Sequence, residues 1–75
     1  MILIIQSQII NLDLVTTIRM EDEDLRIHFF YAFLDDQDDH YYDSFEFTTE
    51  KRMEEAFTKI VKGYEEEKKL VWIKD

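Results

Sequence analysis

Apolar residues recur with a period of two along the first two-thirds of the chain and with a helical period after that. Ile2 to Ile5 is a short β-branched run suited to a buried strand; Gln6-Ser7-Gln8 interrupts it and Ile9-Ile10 resumes it. Asn11-Leu12-Asp13 predicts a local turn. From Val15 to Met20 the chain alternates, with Val15, Thr17 and Arg19 on one side and Thr16, Ile18 and Met20 on the other, which predicts a strand. Leu25 to Leu34 is the most informative stretch. One parity is Leu25, Ile27, Phe29, Tyr31, Phe33; the other is Arg26, His28, Phe30, Ala32, Leu34, polar at its start and apolar at its end. A sheet covered on one side should alternate cleanly. The loss of alternation in the second half predicts that both faces there need cover, which one helix cannot supply. Tyr41 to Phe47 forms a further strand, pairing with the preceding one across an acidic loop.

The period then changes. Met53, Ala56, Phe57, Ile60, Val61 and Tyr64 form one stripe of an amphipathic helix from Thr48 to about Lys62. Thr48 or Thr49 caps its start, and Glu50 sits near the positive end of the helix dipole. Gly63, the only glycine in the chain, is expected as a left-handed C-terminal stop, unless the run Glu65 to Lys69 prolongs the helix. Leu70-Val71-Trp72-Ile73 is a last short strand. The expected order is β-β-β-β-α-β in a single domain spanning residues 1–75. The fold class is α+β, a mostly antiparallel sheet with one amphipathic helix packed on a face.

Charge changes this picture more than length does. Residues 1–47 hold eleven acids against two bases, Arg19 and Arg26, and so carry the whole net charge of −9. The acids and bases after residue 47 cancel, seven against seven. The excess gathers in two runs, Glu21-Asp22-Glu23-Asp24 and Asp35-Asp36-Gln37-Asp38-Asp39, both between strand-like segments. Acidic turns keep an apolar sheet in solution and discourage edge pairing. They also form a surface suited to a basic partner, and Glu21, Asp22, Glu23, Asp24, Asp35, Asp36, Asp38 and Asp39 are the expected docking residues. Direct binding of nucleic acid or anionic lipid is disfavoured, because phosphates would be repelled. The longest apolar run is Met1 to Ile5, too short for a membrane span, and there is no basic leader; the expected setting is cytoplasmic.

Candidate chemistry is sparse. There is no cysteine, and the only serines are Ser7 and Ser44. A Ser-His-acid set can be written from Ser44 with His28 or His40, but eighteen acids leave the third member undetermined. One glycine cannot build a phosphate-binding loop. Counted from Asp35, the residues Asp35, Gln37, Asp39, Asp43 and Glu46 match EF-hand ligand spacing. His40 stands where that loop turns on glycine, however, and strand alternation puts Asp43 and Glu46 on opposite faces. No catalytic residues, metal site or cofactor are expected. The aromatic set is read mainly as core, since stacking platforms for single-stranded nucleic acid come with a basic groove. The leftover parity, Phe30, Ala32 and Leu34 with Tyr42, is an apolar patch suited to self-association, and a homo-oligomer, in the first instance a dimer, is expected.

Ile9-Ile10-Asn11-Leu12-Asp13, the strand ending in Ile18-Arg19-Met20, an acidic turn, an aromatic strand, and Phe47-Thr48-Thr49-Glu50 opening a helix with Ala56-Phe57 and Ile60-Val61 together resemble small one-domain proteins of bacteriophages and mobile elements in low-GC bacteria. The resemblance covers about residues 9–62. The composition is also similar to that of phage-encoded antagonists of host defence, which are short, cysteine-free and acidic and act by occlusion or DNA mimicry. The resemblance implies a setting more than an activity; with the net charge of −9 confined to residues 1–47, the expected function is a non-catalytic inhibitor that covers a basic, nucleic-acid-binding surface of a host protein. Two other functions fit the residues. One is an oligomeric binder of a nucleotide signal, with Arg19, Arg26 and His28 as the cations on the sheet. The other is a structural or regulatory subunit whose acids serve solubility alone.

Overall fold

The computed structural model describes residues 1–74. Five strands precede the helix: β1 (Ile2–Ile5), β2 (Gln8–Asn11), β3 (Val15–Glu21), β4 (Arg26–Leu34) and β5 (His40–Glu46). The helix α1 (Glu50–Glu65) and a sixth strand β6 (Leu70–Ile73) follow. The class is α+β with mostly antiparallel pairing, as the periodicity predicts.

The expected single sheet is instead two sheets of three strands, ordered β2-β1-β6 and β3-β4-β5. The extra strand arises where the sequence shows only an interruption. Gln6 and Ser7 both take left-handed backbone, with φ of 47° and 65°, and close a tight two-residue hairpin between β1 and β2. Such turns favour Asn-Gly, so Gln-Ser carries no turn signature in a sequence. Gln6 is also held from outside, its Nε2 donating to the carbonyl of Glu46 at 2.8 Å, which ties this turn to the end of β5. β6 then runs parallel to β1, with Leu3 opposite Val71 and Ile5 opposite Ile73. The second sheet is an antiparallel meander with a bulge at Thr16 in β3.

All buried apolar side chains of the described residues join one cluster. It draws Leu3, Ile5, Ile10, Val71 and Ile73 from the first sheet and Ile27, Phe29 and Phe45 from the second. Leu12 and Phe47 join from the connections, and Met53, Ala56 and Ile60 from α1. The helix begins as expected, with the Thr49 hydroxyl accepting from the Arg52 amide at 3.1 Å. Its buried stripe is narrower than predicted: Met53, Ala56, Ile60 and Gly63 face in, Phe57 is half-buried, and Val61 and Tyr64 are exposed.

Gly63 is not the left-handed stop. The helix continues through it to Glu65, the positive-φ residue is Glu67, and the Lys68 amide returns to the Gly63 carbonyl at 2.9 Å. Glycine is required for proximity: a β-carbon at position 63 would lie 2.5 Å from Val71 Cγ2 and 3.0 Å from Met1 Sδ. The side-chain-free point lets the last helical turn press onto β6.

Gly63→Ala adds a methyl where a β-branched, buried side chain cannot swing aside. Overpacking costs about 1–3 kcal/mol, and the gain in helix propensity returns about 1 kcal/mol. The variant should lose about 1 kcal/mol in a urea melt, where the same exchange at an ordinary exposed helix site would be stabilising.

Candidate partner-docking face

The register of the second sheet sets nine side chains in a grid on the side away from the core. The rows are Glu21, Arg26 and Glu46; Arg19, His28 and Ser44; and Thr17, Phe30 and Tyr42. The intervening rows, with Met20, Ile27 and Phe45 and with Ile18, Phe29 and Asp43, face inward. His28 is the centre of the grid. Its Nε2 lies 2.6 Å from Glu21 Oε2 and its Nδ1 2.5 Å from Ser44 Oγ. With Nε2–H donating to the carboxylate, Nδ1 is left to accept the Ser44 hydroxyl proton. The hydrogen bond from His28 holds the Glu21 carboxyl below its ordinary value, against a smaller opposing effect of desolvation.

This is the Ser-His-acid set that the sequence alone leaves undetermined. Its order differs from that of the serine hydrolases, in which the acid holds Nδ1 and the serine faces Nε2. Two surface hollows lie elsewhere, one along α1 beside Ile73 and Lys74 and one between Tyr64 and Met1, so neither adjoins Ser44. Within the grid the three groups fix the imidazole, and the rings pack around it. Phe30 and Tyr42 centroids are 5.6 Å apart, His28 lies 6.1 Å from Phe30 and 6.3 Å from Tyr42, and the Arg19 guanidinium caps Phe30 at 5.5 Å. Arg26 approaches Glu46 at 3.9 Å. Of the three cations offered for a nucleotide, Arg26 and His28 therefore already face carboxylates.

The two acidic runs sit at opposite ends of this face, because one joins β3 to β4 and the other joins β4 to β5. At about 3.3 Å per residue, the nine residues of β4 hold them roughly 25–30 Å apart, most of the molecule's 35 Å length. They are two poles, not one patch. Six of the eight candidate acids are exposed: Asp22, Glu23 and Asp24 at one end, Asp36, Asp38 and Asp39 at the other. The remaining two have structural work. Glu21 holds His28, and Asp35 Oδ1 accepts the amides of Gln37 at 2.8 Å and Asp39 at 3.0 Å, shaping the loop around left-handed Asp38.

The far end of the β4–β5 hairpin runs past the core, so the cover that its lost alternation predicts is missing on both sides. Ala32, Phe33, Leu34, Tyr41 and Tyr42 are exposed. The rings cover one another, with Tyr31 stacked on Phe33 at 5.2 Å and Phe33 against Tyr41 at 5.3 Å. Of the self-association candidates, Phe30 and Tyr42 form the ring pair in the grid, and Ala32 and Leu34 lie at the projecting end. Across a two-residue slip in register, Leu34 is opposite His40, whose Nδ1 reaches the Tyr31 carbonyl at 2.7 Å.

The EF-hand-like spacing dissolves in this hairpin. Asp43 points to the core side and receives the Tyr31 hydroxyl at 2.5 Å, whereas Glu46 lies on the open face. Among the described residues no three or more His, Cys, Asp or Glu side chains come together as a metal site. Burial first, and then the Asp43 carboxylate, push the Tyr31 hydroxyl up to about 12. No protein-family model, curated protein or solved structure matches the chain. No helix among the described residues is long and apolar enough to cross a membrane.

Two titrations check this geometry. Tyr31 is raised in the folded state, so its contribution to stability is present below an ordinary tyrosine value of 10 and is lost as pH rises through about 12. Tyrosinate absorbance should show a late-ionising phenol that disappears in Tyr31→Phe. Glu21 is depressed, so its contribution is present above 4.5 and is lost as pH falls through its lower folded value. Wild type should therefore exceed Glu21→Gln in melting temperature at neutral pH and converge with it in acid; a constant gap across that range would contradict the His28 pairing.

Proposed function

We propose that the chain is a non-catalytic binding protein that covers a basic, nucleic-acid-binding surface of another protein. The observation that carries this reading is the bipolar β3-β4-β5 face, with exposed carboxylates at each end and a fixed aromatic and histidine grid between them. Exposed acids in such turns suit long-range attraction more than tight pairing. Their spacing of roughly 25–30 Å matches a stretch of duplex of about eight base pairs, taken at 3.4 Å per step. A protein surface that tracks a nucleic-acid backbone offers cations at both poles over that distance. The rings of Phe30 and Tyr42, with Arg19 over one of them, give the centre of the face apolar area that charge alone would lack. The role suggested by the likeness to antagonists of host defence is occlusion of this kind.

The nucleotide-binding alternative has less behind it. Arg26 and His28 are engaged by Glu46 and Glu21, and an anion entering the grid would meet those carboxylates. The acids and rings together favour a basic macromolecular surface.

The test is retention of nucleic-acid-binding proteins from a bacterial lysate on the immobilised chain. Wild type should hold a basic protein that about 0.5 M salt or added duplex DNA releases, since screening shortens the reach of exposed charges. Asp22, Glu23 and Asp24 changed to Asn or Gln should weaken capture, and so should the same change at Asp36, Asp38 and Asp39. Both ends together should reduce affinity by roughly tenfold or more, about 1.4 kcal/mol. Unchanged capture by the doubly neutralised chain would overturn the proposal.

A further inference from the structure

The outer face of the β2-β1-β6 sheet breaks the rule that a sheet covered on one side is polar on the other. Its six central side chains are Ile9, Ile4 and Trp72 in one row and Asn11, Ile2 and Leu70 in the next. Five of the six are apolar. Ile9 is 73% exposed, Trp72 57% and Leu70 51%, while their strand neighbours Ile10, Val71 and Ile73 are buried in the core. Among the described residues, none takes Ile9 or Trp72 out of solvent.

We propose that this face is the contact between two copies of the chain in a symmetric dimer. Area is the first argument. The five apolar side chains offer on the order of 400 Å² of accessible surface, and Asn11 and Lys74 beside them extend the face toward the roughly 600 Å² per partner at the low end of specific interfaces. Charge is the second. Both acidic turns belong to the other sheet, so copies meeting here keep their net charge of −9 apart. Copies meeting through Phe30, Leu34 and Tyr42 would bring the Asp35–Asp39 loops together. The Lys74 ammonium lies 6.0 Å from the Trp72 ring on this face.

Self-complementarity is the third argument. β1 is the middle strand, with Ile9 on one flank and Trp72 on the other. A twofold axis along β1 sets Trp72 of each copy against Ile9 of the other and closes the assembly at two. Face packing is favoured over edge pairing at β6, because the Lys59 ammonium already occupies the Trp72 carbonyl at 3.2 Å. Such a dimer leaves both β3-β4-β5 faces outward, so the inference stands whether or not that sheet docks a basic partner.

Sedimentation equilibrium of the full chain from about 5 to 500 μM, a range that spans ordinary dimer affinities, tests it. Wild type should approach twice 9.2 kDa. Ile9→Lys and Trp72→Lys, at exposed positions, should each weaken dimerisation by roughly tenfold or more while far-UV circular dichroism is retained. Asn11→Arg supplies a second charge in the same face if either variant misfolds. Leu34→Lys with Tyr42→Lys should leave the dimer intact. About 0.5 M salt should maintain or strengthen it by screening like charges, the opposite of its effect on docking to a basic partner. A wild type that stays monomeric throughout, a dimer indifferent to Ile9→Lys, one lost on substituting Leu34 and Tyr42, or mass that grows beyond two copies would each overturn the inference.

Discussion

One small core has to serve two sheets and a helix at once. A chain of 75 residues buries about 60% of its unfolded surface, and here that burial is spent on a single cluster with no polar side chain inside it among the described residues. Each sheet can turn only one face to this cluster. The helix closes the remaining side, and Gly63 allows it to come close enough to do so. The consequence is arithmetical: two outer sheet faces and the end of a long hairpin must be left to solvent or to another molecule. What those surfaces are made of then decides what the protein can do.

The two faces received different chemistry. The β3-β4-β5 face mixes carboxylates, arginines, a histidine and rings, and it satisfies itself internally through Glu21, His28 and Ser44. Its outer rows carry Glu21, Arg26 and Glu46 at one end and Thr17, Phe30 and Tyr42 at the other. The β2-β1-β6 face is apolar and has little polar content beyond Asn11 in its six central positions. A mixed face with charged poles interacts at long range and responds to salt; an apolar face interacts at contact and through area. These differences separate the two surfaces physically, even though both grow from the same core.

Much of the fold was legible from periodicity. The alternation of Ile27 and Phe29 with Arg26 and His28 marked the buried and open sides of β4, and Thr49 with Glu50 marked the start of the helix. What escaped depended on partners distant in sequence. Gln6 and Ser7 adopt a glycine-like turn, and Gln6 is anchored by Glu46, forty residues away. Gly63 looked like a terminator because glycine usually ends helices, whereas Val71 and Met1 set its requirement. The Ser44-His28-Glu21 array was hidden among eighteen acids until strand register selected one of them. The apolar face of β1, β2 and β6 escaped for a related reason: an uninterrupted Ile-Leu-Ile-Ile run looks the same whether its second side is buried or bare.

Charge placement carries over from the sequence to the structure only in part. The net charge confined to residues 1–47 predicted an electronegative portion, and six exposed acids of its two runs lie on the second sheet's turns. A meander, however, must send consecutive turns to opposite ends. Two acidic runs adjacent in sequence therefore become distant in space, and their separation is set by the length of β4. Three acids that composition counts equally are diverted inward or sideways: Asp35 shapes its loop, Glu21 orients His28, and Asp43 receives Tyr31. A surface that attracts at both poles and stays rigid between them discriminates by length as well as by sign. A basic partner with one isolated cluster of cations would satisfy only one end, and a partner with a continuous basic track would satisfy both. In the proposed docking, strand length would be the ruler, and the same strand, buried through Ile27 and Phe29, cannot change that length without unmaking the core.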